Sequence, residues 1–152
     1  MLPLTIISDS VDIANPALDA LVALHTRTVD TLPGYDKMLE KAEPEFRPVV
    51  ARFRELHGQH ATDLAAILAA RGEPVDGEGS MMGVVNRAVV AVRSFFDDID
   101  ADVMKAIRNG EETVMSAFDN ALMQPLEPAE TLDIGAMRDE LVALLGSTPA
   151  ST

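Results

Sequence analysis

The sequence predicts an all-α protein built on a four-helix bundle, with one additional short helix near the C-terminal end. Three observations carry this: apolar residues recur with a helical period in four long stretches, no segment alternates as a strand does, and the breaks fall at proline- and glycine-bearing turns. A length of 152 residues suits one domain with its own core.

The first 14 residues show no helical period and read as an N-terminal arm. Asn15-Pro16 supplies a cap followed by the residue favoured in a first helical turn, so a helix is expected over about 16–41, carrying Leu18, Leu21, Val22, Val29, Leu32 and Leu39. Pro33 deletes one backbone bond inside it and predicts a kink. After Glu43-Pro44 a second helix, about 45–71, carries Phe46, Val49, Val50, Phe53, Leu56, Leu64, Ile67 and Leu68 and stops at Arg71-Gly72. Residues 72–80 are rich in glycine and read as a linker. A third helix is expected over about 81–96, with Val85, Val89, Val92 and Phe96, and a fourth over about 100–123, with Val103, Ile107, Val114, Phe118 and Leu122. These four make up a bundle domain spanning 15–124. Pro125 and Pro128 end it, a helical extension at 125–146 carries Ile134, Met137, Leu141, Leu144 and Leu145, and 147–152 reads as a disordered tail.

Charge narrows the partners. With 12 basic against 25 acidic residues the formal net charge is −13, which opposes nucleic acid and anionic membrane surfaces. No apolar run reaches membrane-spanning length, and no basic residue precedes the apolar stretch in Met1–Ser10, so a cytoplasmic protein is expected. Cysteine is absent, which removes thiolate and Cys-zinc chemistry. No serine sits in a nucleophile turn, and no catalytic residue is identified. The acidic run Asp97–Asp102 lacks the glycine and distal glutamate of a calcium loop and reads as a turn with a helix cap.

Placing the first two helices as an antiparallel hairpin pairs Leu18 with Ile67, Leu21 with Leu64, Val29 with Leu56, Leu32 with Phe53 and Leu39 with Phe46. The same register pairs His25 with His60, each standing where an apolar residue would complete its stripe. Glu111 interrupts the stripe between Ile107 and Val114 in the same way, roughly 20 Å along its helix from the preceding turn. A buried carboxylate needs a partner, so a polar layer of His25, His60 and Glu111 is expected, with His57 bordering it.

A di-iron carboxylate centre would need Glu-x-x-His motifs, but Val22, Arg54 and His57 stand three residues before the histidines. Two readings of the layer remain. One is a mononuclear Fe or Zn site with His25, His60 and Glu111 as ligands and His57 assisting. The other is a hydrogen-bonded set that fixes helix register, with no cofactor.

Residues 18 to 122 also resemble a bacterial family of ferritin-like four-helix-bundle proteins of unknown function. The resemblance rests on Leu18-Asp19, Gly34-Tyr35, Gly79-Ser80, Gly83, Asn86-Arg87, Gly110-Glu111-Glu112, Phe118 and Ala121-Leu122. Family members usually carry His-Arg where Asn86-Arg87 stands and an aromatic at Val89. A ferritin-like topology implies a connection running the length of the bundle between the second and third helices. The expected protein is a non-catalytic binding or scaffolding module, a homodimer that meets another protein, with the mononuclear metal protein as the alternative.

Overall fold

The computed structural model describes residues 15–75 and 102–147. Four helices make up most of them: α1, Pro16–Lys41; α2, Arg47–Ala70; α3, Asp102–Leu122; and α4, Pro128–Ser147. No strand occurs among the described residues. The N-terminal arm, the helix expected at 81–96 and most of the acidic run lie outside them.

Local chemistry sets the helix ends. The Asn15 side chain accepts the Leu18 N–H at 3.1 Å, satisfying one of the free donors at the start of α1, and Pro16 follows it. Pro33 lies inside α1, which runs through it without a break. At the end of α2, Gly72 adopts φ +84°, and its N–H bonds to the Ala69 carbonyl at 2.9 Å while Glu73 N–H reaches Leu68 at 2.8 Å. That pair of reversed bonds closes the helix and requires a left-handed residue.

The helices pack in a ring. α1 lies on α2 and α3, and α4 lies on α3 and α2, so each of the described helices has two of the others as neighbours. Short turns fold α1 against α2 and α3 against α4 as antiparallel hairpins, with Arg54 Nε to Asp36 at 2.8 Å tying α2 to α1 and Arg138 Nε to Asp119 at 2.6 Å tying α4 to α3. Between α2 and α4, Arg71 meets Glu130 at one end and Arg52 meets Ser147 at the other. α2 therefore leaves at the end of the ring opposite to the one where α3 starts. The helix expected as an appendage, α4, packs between α2 and α3 and buries Ile134, Met137, Leu141 and Leu144.

The core contains Leu21, Leu24, Val50, Phe53, Leu64, Leu68, Ile107, Phe118, Ile134 and Leu141, all fully buried or nearly so. Each large side chain of this kind contributes about 1.5–3 kcal/mol by leaving water. On α1 and α2 the inward face is rotated from the expected stripe. Leu18, Val22, Leu39, Leu56 and Ile67 are only partly buried, while Leu24, Thr28, Tyr35 and His57 face inward.

Gly72 gives a clean test, because a Cβ there would meet nothing within 4 Å and any cost must come from the backbone. Gly72→Ala is expected to lower stability by about 1–2 kcal/mol, read as a shift of the urea midpoint with unchanged slope.

A buried Glu-His-Tyr cluster

The site is built where α1, α2 and α3 meet. Glu111, in the middle of α3, is buried, and its Oε2 accepts two hydrogen bonds from different helices: the Tyr35 hydroxyl of α1 and the His57 Nε2–H of α2, the latter at 2.7 Å. The three side chains are packed as well as bonded. Tyr35 stacks between the ring of Phe53 and that of His57, with centroids 5.7 Å apart in each case and interplanar angles of 8° and 18°. Burial and the adjacent Glu111 carboxylate push the Tyr35 phenol well above its ordinary value of 10.0, so it remains a donor.

His60 stands one turn beyond His57, its ring edge-on to His57 at 6.5 Å and to Phe118 at 6.0 Å. Its Nε2 bonds to Glu140 of α4 at 2.9 Å, and the Glu140 carboxylate opens to solvent. Burial lowers the pKa of His60 and outweighs the opposing pull of Glu140. His25 is fully buried on α1 with neither ring nitrogen hydrogen-bonded, and desolvation lowers its pKa.

All four side chains singled out from the sequence are thus interior, but they are not joined as the hairpin register suggested. Glu111 is bonded to His57, which that register placed at the border. His60 is bonded to Glu140, and among the described residues no hydrogen bond links His25 to His60 or Glu111. The sequence reading missed Tyr35 and Glu140 as members of the layer. A tyrosine on a helix gives no periodicity signal of its own, although Gly34-Tyr35 lies within the resemblance. Glu140 enters only because α4 packs alongside α2.

Several polar atoms of this layer are buried without a partner: Glu111 Oε1, the Nδ1 atoms of His57 and His60, and both nitrogens of His25. Groups of this kind usually answer to a water, an ion or a function. Among the described residues, no three His, Cys, Asp or Glu side chains are grouped to hold a metal ion. The donors closest to one another are one imidazole, one carboxylate and one phenol. Chemically, such a set can share protons or, once deprotonated, present an oxygen-rich donor triad. No described helix is long and apolar enough to cross a membrane.

These features define an all-helical protein with an acid–imidazole–phenol cluster at a three-helix junction. The chain belongs to the family described as Domain of unknown function (DUF2383), whose model matches residues 16–124. No curated protein and no solved structure matches it.

The buried histidines carry a pH dependence whose sign follows from their shifts. Both His25 and His60 have folded values below the ordinary 6.5, so below that pH the unfolded chain binds more protons. Their contribution to stability is complete above about pH 6.5 and is lost as pH falls through the lowered folded values. His25→Leu removes one of these groups and two unpaired polar atoms. It is expected to raise stability by about 1 kcal/mol at neutral pH and to flatten the loss between pH 7 and 5 in urea unfolding. A His25→Leu protein as pH-sensitive as the wild type would refute this.

Proposed function

We propose that the chain is a non-catalytic, ferritin-like helical module of the cytoplasm that acts by association, first with a second copy of itself and then with another protein. The ferritin-like part of the reading draws on two antiparallel hairpins, α1–α2 and α3–α4, with α2 ending at the end of the ring opposite to the start of α3, as in bundles with a crossover. The observation that carries the functional part is the internal commitment of the polar layer: Glu111 Oε2 takes both Tyr35 and His57, and His60 is taken up by Glu140. That layer acts as a register lock for the helices. What is left for contact is the outer surface, where α4 exposes Leu132 at 74% and Val142 at 43%.

A second reading is favoured by a separate observation. Glu111 Oε1 and the free imidazole nitrogens of His25, His57 and His60 are buried and unpartnered, which suits a bound iron or zinc ion in the interior.

Self-association has a distinct signature in a chain of net charge −13, because like-charge repulsion between copies is screened by salt. Sedimentation is expected to show a dimer that tightens as salt rises, and the doubly substituted Leu132→Asp, Val142→Asp protein is expected to be a folded monomer. A wild-type chain that remains monomeric at high salt and tens of micromolar concentration would end the dimer proposal.

A further inference from the structure

Building on the second reading above, we propose that Tyr35, His57 and Glu111 bind one divalent transition-metal ion of the zinc or ferrous class, with the single tyrosine of the chain serving as a phenolate ligand. The three donors come from three different helices, all are buried, and two of them already aim at one oxygen of the third. What separates them now is two protons. Loss of the phenol proton and movement of the imidazole proton from Nε2 to the unpartnered Nδ1 leave lone pairs on Oη and Nε2 where both now donate to Oε2.

Charge and spacing both suit this exchange. Phenolate plus carboxylate gives two negative charges and a neutral imidazole adds none, so a divalent ion yields a buried set of zero net charge, the form that low dielectric tolerates best. Ligand bonds of about 2.0–2.2 Å put the donors of a tetrahedral site about 3.3 Å apart. The present His57–Glu111 distance is 2.7 Å, so that pair needs to open by roughly half an ångström, and the closer Tyr35–Glu111 pair by more. Glu111 Oε1, buried with no donor at all, then supplies a fourth contact through a bidentate carboxylate. An imidazole nitrogen among so few oxygens selects a transition metal over magnesium or calcium. Glu140, 59% exposed and bonded to His60 beside His57, gives cations an acidic way in from the surface between α2 and α4. The balance is simple: one ion enters, one proton from Tyr35 leaves, and no electron is transferred.

The chain contains one tyrosine and no tryptophan, so an ultraviolet difference spectrum reads Tyr35 directly. The full chain, stripped with chelator, is titrated with zinc at neutral pH. Expected are one zinc per chain, a tyrosinate band that saturates at that stoichiometry, and one proton released per ion. Tyr35→Phe keeps the ring against Phe53; it is expected to lose the band and weaken zinc binding at least about tenfold, and His57→Gln is expected to do the same. Glu140→Gln is expected to leave the amplitude of the band unchanged. Zinc bound at one per chain without a tyrosinate band overturns this site and leaves standing the second reading, in which Glu111 acts with the other imidazoles. Failure of the wild type to take up more zinc than Glu111→Gln overturns both. Since the band is read on the wild-type chain, the test survives a variant that does not fold.

Discussion

One desolvated carboxylate sets the terms for the rest of the molecule. Glu111 lies in the middle of α3, buried where water cannot solvate it, and an ionised acid in such a place costs several kcal/mol unless donors from the protein replace the solvent. Among the described residues those donors come from α1 and α2, one from each, Tyr35 and His57. A donor must approach within hydrogen-bond distance and at a narrow angle, so each bond fixes both the height and the rotation of its helix relative to α3. Apolar packing is far more forgiving of a slide or a turn than these two bonds are. Deleting either partner leaves an uncompensated buried group, a loss of about 3–5 kcal/mol in comparable settings, and a large fraction of the stability of a domain this size.

The same demand explains the rotated faces of α1 and α2. The stripe read from the sequence places Leu18, Val22 and Leu56 inward, but turning Tyr35 and His57 toward Glu111 moves those residues to the margin. Leu21 and Phe53 of the expected stripe stay buried and Leu24 joins them, so the rotation costs little hydrophobic burial. At the far side of the ring α4 is secured mainly by its apolar face, assisted at its start by the paired bonds of Arg71 to Glu130, both at 2.7 Å. That guanidinium lowers the pKa of Glu130, whose carboxylate also accepts the Glu127 N–H and so caps the turn ahead of α4.

The positions of the four described helices were legible in the sequence because their causes are local. Asn15-Pro16, Arg71-Gly72 and the Pro125–Pro128 break act within a few residues, and the structure shows helices bounded at each. The interior location of Glu111, His25 and His60 was legible for a similar reason, since each interrupts a stripe at a helical interval. Their partners were not. A step of one residue turns a helical face by about 100°, so whether His57 or His60 meets Glu111 depends on helix rotation, which an apolar stripe alone leaves loose. Tyr35 stands about one helical turn from Leu32, the residue that the hairpin register set opposite Phe53, and it is Tyr35 that stacks there. Glu140 was out of reach of local reasoning, because its role depends on where α4 docks, a choice made by tertiary packing.

The Glu111 cluster divides its members unequally between the two ends of the chain: the donors Tyr35 and His57 belong to the α1–α2 hairpin, and the acceptor belongs to the α3–α4 hairpin. Each hairpin alone would leave half of a polar contact stranded, and only their union satisfies both. The described helices are in effect a pair of complementary halves that meet around one interior carboxylate, with His60–Glu140 and Arg71–Glu130 joining them nearer the surface. Two polypeptides, one bearing α1 and α2 and the other α3 and α4, would each hold one side of that contact.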